Sequence, residues 1–512
     1  MYYRIFSAKK MRFQDILNYK LIYILLIANI HALSPDPKLF NVWGPGLHPQ
    51  DVIMPARYFF IQAVDSNNNS INHSLSSPLQ VVIDGATAKK TPCRIWTNIL
   101  DRKDGVYIVR YKVYEQCSYI KISIVYENEQ VAQSPYIINQ PIYPDNCYCP
   151  KLKLKELLKV WNSEKVPAQI KKDFNQFQTI DWDEMRPKII KEFDKPQSVS
   201  LCHYIIKDNQ IYRKCYGKYV GFNMFSDSIL LSLARKAFLP DLEFFVNLGD
   251  WPLSSKNLPD KFPIFSWCGS KDTNDIVMPT YELTESSLEN MGRVMLDMLS
   301  VQGNVKDVWE KREPKLFWRG RDSNRYRLDL IGLSKKYPEL FNVSLTNFFF
   351  FKDEEDEYGP KSDHVSFFTF FDYKYQLSID GTVAAYRMPF LLGGGSLVYK
   401  PHSRYYEHFY AGLIPSVHYI PVETNLSNLI EKIEWAKNND AQSKIIAENG
   451  QKYANDQLLP QNVFLYYMHL LNELSKVMTS KVRLFNGMEQ IHQKNDIICD
   501  CLTNDNDVKD EL

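Results

Sequence analysis

The stretch "LPDLEFFVNLGDWP", Leu239 to Pro252, decides the fold. Its middle, "LEFFVNL", is an apolar run of strand length, and the chain leaves it through an Asp-Trp-Pro turn. Helical and strand-like segments alternate around it. "DSILLSLARKAF" and "SLENMGRVMLDMLS" have helical character on either side, "KLFWRG" is strand-like, and "AAYRMPFLL", "GSLVYK" and "LSNLIEKIEWAKNN" continue the alternation. Such alternation implies an α/β architecture with parallel sheets. Residues 180–490 are enough for two such lobes, divided near residue 310. Ligands in open α/β sheets bind beyond the carboxyl ends of the strands, and a cleft between lobes is the default site. Asp250 therefore stands where a carboxylate reaches a substrate. The plainer reading of the same residue is a turn aspartate before a proline.

Two later stretches tip that balance. "KLFWRGRDSNRYR", Lys315 to Arg327, again runs from a strand into a turn and carries Arg319, Arg321, Arg325 and Arg327 beside Gly320. Guanidinium groups bind phosphate in a bidentate fork, and a glycine lets the backbone approach a diphosphate. A lone arginine cluster is more often a solvated face. "IDGTVAAYRMPFLLGGGSLVYK", Ile379 to Lys400, is rich in small residues ahead of a helix, whose N–H groups can meet an anion. It has neither the Walker nor the dinucleotide glycine spacing, and a packed glycine-alanine turn explains it equally well.

Toward the N-terminus the pattern changes. "YFFIQAV", "LQVVIDG", "DGVYIVRYKVY" and "YIKISIVY" are short, β-branched and aromatic, and separated by turn residues. In the last, Ile120, Ile122 and Ile124 face a core while Tyr119, Lys121 and Ser123 face out, which is a β-sandwich rhythm. "PIYPDNCYCP" follows as a proline-rich linker, and "KLKLKELLKVW" is the helix that opens the second unit.

With 61 basic and 60 acidic residues the net charge is +1, which removes any electrostatic case for nucleic acid or an anionic membrane as partner. Residues Leu21 to Ile30, "LIYILLIANI", preceded by basic residues, have the form of a signal peptide and are too short to span a bilayer. The chain ends in Lys509-Asp510-Glu511-Leu512, an address read by the KDEL receptor. Together the two ends predict a lumenal protein of the endoplasmic reticulum with no membrane anchor. In that compartment the nine cysteines should be mostly paired, and Asn68, Asn72, Asn342 and Asn425 are candidate N-glycosylation sites.

"GPGL" at Gly44 to Leu47, "DRKDGVYIVRY" at Asp101 to Tyr111 and "SPYII" at Ser134 to Ile138 resemble a filamin-type immunoglobulin-like repeat, with Ser118 where that pattern usually has glycine. "VNLGDWP", "FSWCGS", "IVMPTY", "WRGRDS", "TNFFFF", "IDGTVAAYR" and "YYEHFY...HYIPV" resemble, in order, the protein O-glucosyltransferases of glycosyltransferase family 90, within the subgroup that has a filamin-type domain in front and KDEL behind. The resemblance implies a signal peptide at 1–32, a filamin-type domain at 33–140, a linker and leading helix at 141–179, a GT-B glycosyltransferase domain of two Rossmann-like lobes at 180–490 and a tail at 491–512.

It also implies transfer of glucose from UDP-glucose to serine in EGF-like repeats of secretory proteins such as Notch, with inversion and without a metal or other cofactor. Asp250 becomes the catalytic base. Arg319, Gly320, Arg321, Ser323 and Arg327 become donor-site residues, with Gly381, Thr382, Val383, Ala384, Ala385, Tyr386 and Arg387 as the loop around the nucleotide-sugar. Gly221, Phe222, Asn223 and Met224 fall where the family grips the acceptor, and Asp181-Trp182-Asp183 is then not a metal-binding Asp-x-Asp. UDP-xylose as donor, and a non-catalytic lumenal binder, are the alternatives.

For the cysteines, a turn at Asp208-Asn209 sets Cys202 opposite Cys215 in a hairpin, within disulfide reach. By elimination Cys93 meets Cys117 across the sandwich, Cys147 and Cys149 join Cys499 and Cys501, and Cys268 stays a buried thiol. Leu465 stands where the family usually has cysteine, which leaves the connectivity of the two Cys-x-Cys pairs open.

Overall fold

The computed structural model describes residues 34–198, 201–218, 221–288, 297–493 and 499–501. The expected signal peptide and the KDEL end lie outside these residues. The N-terminal unit is a two-sheet sandwich. One sheet has the order Asn41–Trp43, Arg57–Gln62, Val106–Val113, Ile95–Asp101, and the other pairs Gln80–Ala86 with Tyr119–Tyr126, which also carries Glu129–Gln130 and Tyr136–Ile138. Ile120, Ile122 and Ile124 are fully buried between the sheets, as the alternation in that strand requires.

The second lobe is a five-stranded, wholly parallel sheet in the order Phe341–Asn347, Glu313–Arg321, Tyr373–Leu377, Leu397–Pro401, Ile420–Val422. Numbered along the chain this is 2-1-3-4-5, the doubly wound order whose direction reverses between its first and third strands. The loops after Arg321 and Leu377 leave the sheet on either side of that reversal and open a crevice between them.

The first lobe departs from the all-parallel expectation. Its six strands run Ile276–Val277, Ile264–Ser266, Leu242–Asn247, Leu201–Lys207, Gln210–Tyr216, Glu489–Ile491, and only the first three pair in parallel. The antiparallel half is a hairpin. Asp208 and Asn209 both have positive φ, 51° and 57°, which matches the twist of a two-residue turn to its strands and puts Cys202 opposite Cys215.

A division near residue 310 also needs correction, because the chain returns to the first lobe at its end. Helix Pro460–Val477 buries Phe464, Met468 and Leu471 in the same core as Tyr204 and Phe244, and strand Glu489–Ile491 closes the first sheet. The segment 141–179, expected as linker and leading helix, is built into the body of the protein. Leu157, Trp161, Ile170 and Phe174 share a core with Tyr58, Phe60 and Ile108 of the sandwich, and Asp145 pairs with Arg235 (2.8 Å) and Lys236. A proline-rich composition marks irregular backbone, not exposure.

The disulfides are Cys93–Cys117, Cys147–Cys499, Cys149–Cys501 and Cys202–Cys215, with Cα separations of 6.0, 5.8, 5.6 and 4.0 Å. Cys268 is a buried free thiol. Among the described residues no helix is long and apolar enough to cross a membrane.

Candidate active site

Strand Leu242–Asn247 ends in a turn held by its own last side chain. The Asn247 amide donates to the Trp251 carbonyl (2.7 Å) and to Ser266 Oγ (3.1 Å), and its oxygen accepts from Gly249 N–H (2.9 Å). Buried Asp275 holds the exit of the turn, accepting from Leu253 N–H (2.8 Å), Ser254 N–H (2.9 Å) and Ser266 Oγ (2.6 Å). The backbone of Asp250 is pinned from below, where its carbonyl accepts from Tyr386 Oη and Cys268 Sγ, both at 3.4 Å. Its half-buried carboxylate makes no hydrogen bond among the described residues. Burial raises the carboxyl above its ordinary pKa, and the Arg321 charge draws it partly back.

Across the cleft stand the two loops of the second lobe. Asn324 caps the helix Arg325–Lys336 by accepting from Arg327 N–H, and its amide donates to the carbonyls of Asp380 and Gly381, both at 2.8 Å. Arg327 strengthens the tie, donating to the carbonyls of Asp380 (2.8 Å), Arg321 (2.9 Å) and Ile379 (3.2 Å) and to Ser323 Oγ (3.3 Å). Arg387 binds the Arg319 carbonyl at 2.7 Å, and Arg319 itself is spent on the carbonyls of Trp318 (2.9 Å) and Asn342 (2.8 Å) and on the Asn342 side chain (2.7 Å). Arg321 differs. It is exposed, and its side chain makes no hydrogen bond or ion pair among the described residues. Burial, and then Arg387 alongside, presses Arg327 down to about 9, and burial brings Arg387 to about 10, so both remain charged at neutral pH. Positive charge crowded without full compensation suits an anionic ligand.

These parts enclose one cleft of about 480 Å³. Asp250, Arg319, Gly320, Arg321, Ser323, Arg327 and the whole loop Gly381 to Arg387 line it. The sequence reading placed all of them in one site, and the fold brings them together from strand ends that lie in different lobes. Gly320 has a packing reason rather than a phosphate one, since a Cβ there would lie 2.5 Å from the Trp318 ring.

The four acceptor candidates sit beside the cleft rather than in its lining. Phe222 and Met224 are each 41% exposed at the start of helix Asn223–Lys236. Phe222 packs on Tyr281 (centroids 4.6 Å apart), whose ring meets Tyr386 edge-on at 5.6 Å, so an aromatic wall leads from this patch to Tyr386 and the Asp250 backbone it holds.

Other expectations resolve differently. Asn342 is half-buried, accepting from Arg319 and donating to the Tyr373 hydroxyl (2.6 Å), so the nitrogen a glycan would join is already engaged. Asn68, Asn72 and Asn425 are exposed. Asp181 caps helix Trp182–Phe193 and Asp183 pairs with Arg186 (3.1 Å) and Arg483 (2.8 Å), away from the cleft. Asp322, inside "WRGRDS", is buried and accepts from the N–H groups of Phe349, Phe350 and Phe351. Sequence reasoning missed Glu282 altogether, although it lines the cleft and directly follows "IVMPTY".

The sequence matches the profile of glycosyl transferase family 90 over residues 163–511 and that of the filamin/ABP280 repeat over residues 34–137. The chain belongs to glycosyltransferase family 90. It is 47% identical to protein O-glucosyltransferase 2 of Danio rerio over 92% of this chain and 94% of that protein. It is 44% identical to protein O-glucosyltransferase 3 of Homo sapiens over 90% of this chain and 92% of that one. Protein O-glucosyltransferase 1 of Homo sapiens is 30% identical over 57% of this chain and 76% of its own length. This family-90 glycosyltransferase thus shares both the filamin repeat and the catalytic lobes with its more similar relatives across nearly their full length.

Proposed function

We propose that the chain transfers glucose from UDP-glucose to a serine hydroxyl in folded EGF-like repeats of secretory proteins such as Notch, within the lumen of the endoplasmic reticulum. The observation that carries this reading is the unpaired Asp250 carboxylate from one lobe facing the arginine-rich loops of the other. The names of the relatives support the reaction class, and the signal-peptide-like run at Leu21 to Ile30 and the Lys509-Asp510-Glu511-Leu512 motif support this compartment, with the KDEL receptor as the retrieval partner.

In the reaction, Asp250 takes the serine proton as the serine oxygen forms its bond to the anomeric carbon. The bond from that carbon to the UDP oxygen breaks, and its electron pair leaves with the diphosphate. Arg321, with Arg327 and Arg387 behind it, receives the growing negative charge, so that no metal is required. An ordinary carboxylate, with a pKa of about 3.9, is a weak base. The upward shift of Asp250 brings it closer to the working pH, and the rest of the rate comes from holding acceptor and donor in line.

The test is mass spectrometry of a folded EGF-like repeat after incubation with UDP-glucose or UDP-xylose in the presence of a chelator. A single added hexose on serine is expected. Addition of a pentose from UDP-xylose in preference would move the donor to xylose, and no transfer from either would leave a lumenal binding protein.

A further inference from the structure

We propose that Glu282 determines sugar specificity: it holds hydroxyl groups of the transferred sugar on the Asp250 side of the cleft. This rests on the functional reading above. Glu282 stands in the first turn of helix Tyr281–Leu288 and lines the same cleft as Asp250 and the donor loops. Its Oε2 is shut off from solvent and has no hydrogen-bond partner among the described residues. A buried carboxylate oxygen without a donor costs free energy, and natural sites that keep one generally complete it with a ligand. The terminal torsion of glutamate is soft, so turning this group toward a ligand costs little.

The chemistry of the cleft says which part of the donor it meets. The diphosphate belongs beside the guanidinium groups of Arg321, Arg327 and Arg387, and a carboxylate in contact with it would repel it. The sugar's hydroxyl groups are donors, and an acidic group suits them. The groups acting on Glu282 agree with that placement. Burial, and then Asp250, push it up to about 7, while its own backbone N–H, then the Tyr281 hydroxyl and Arg387, pull it back. Glu407, fully buried and outside the lining of the cleft, has its own carboxyl raised by burial and by Glu282. A carboxyl poised between its two forms both accepts from and donates to hydroxyl groups, which is how a single side chain engages neighbouring positions on a sugar ring.

The test separates the sugar from the nucleotide. Binding of UDP and of UDP-glucose is measured by calorimetry, and kcat/KM for UDP-glucose by transfer to an EGF-like repeat, on the full chain. Glu282→Ala is expected to lower kcat/KM and UDP-glucose affinity by roughly 10- to 100-fold, and the shape-preserving Glu282→Gln by several-fold, with UDP affinity within about twofold of wild type in both. Equal losses for UDP and UDP-glucose overturn the proposal, as does unchanged UDP-glucose use by both variants when the wild type is active. A wild type that binds UDP but transfers no glucose overturns the functional reading on which the proposal rests.

Discussion

The two lobes build their halves of the cleft in different ways. In the second lobe the parallel 2-1-3-4-5 order forces two loops apart at the reversal point, and the chain then ties them back together. Asn324 and Arg327 donate to carbonyls across the gap, so this side of the cleft is a tied, positively charged rim. In the first lobe a mixed sheet has no such crevice. One strand end is turned over by Asn247 so that Asp250 projects into the space between the lobes, and Glu282 comes from a helix start beside it. One lobe supplies the cations and the other the carboxylates. Charge is thus segregated across the cleft, which is the arrangement a proton acceptor and a departing diphosphate both need.

That division of labour fails if the two sides can be swapped or removed with the same outcome. The largest expected effect is that of Asp250→Asn. The amide keeps the shape of the turn but cannot take a proton, so turnover should fall by roughly 10²- to 10⁴-fold while UDP binding by calorimetry stays near wild type. Near-normal transfer by this variant would return Asp250 to the role of a turn residue, where asparagine is equally at home.

A smaller effect sharpens the contrast within the arginines. Arg321→Ala removes an exposed group with no fixed partner, and is expected to weaken UDP binding by about tenfold with an unchanged melting temperature. Arg327→Ala removes the clamp and takes its donors from the Arg321 and Ile379 carbonyls, leaving Asp380 held by Asn324 alone, so it should also lower stability by about 1–3 kcal/mol, seen as a lower Tm. Identical Tm values for the two variants would contradict the clamp.

The smallest effect is on pH. Asp250 works only when deprotonated, so kcat/KM should rise with pH through its pKa, with the acid limb displaced above the ordinary carboxylate range by burial. Arg321 lowers that pKa, and Arg321→Gln should move the limb further up, a displacement that salt screens. An unmoved limb would place the two groups out of electrostatic reach of each other.

Some of this was legible in the chain because the signal is local. The alternation in "YIKISIVY" identified its buried face, and the residues on either side of Asp208-Asn209 fixed a hairpin register and with it the Cys202–Cys215 bridge. Strand ends at Asp250 and Arg321 were found from apolar runs that stop at turn residues, and the fold does bring those ends to one cleft. Such readings succeed because pleat period, turn chemistry and apolar run length are decided within about ten residues of chain.

What the tertiary structure alone decided is how each side chain is used. Four arginines in "WRGRDSNRYR" have the same chemistry on paper, yet Arg319 and Arg327 give their terminal nitrogens to backbone carbonyls, Arg325 pairs with Glu354, and of the four only Arg321 brings to the cleft a guanidinium wholly without partners among the described residues. Asn342 satisfies a glycosylation triplet and is occupied by Arg319 and Tyr373. The segment 141–179 has the composition of a linker but is buried by partners from the sandwich and the first lobe, and helix Pro460–Val477 follows the second lobe in sequence but completes the core of the first. Glu282 follows a strand and a proline like many surface residues, and becomes part of the site because the second lobe folds over it. Each of these outcomes depends on partners dozens to hundreds of residues away, and no local pattern encodes which polar group will meet which carbonyl once the lobes close.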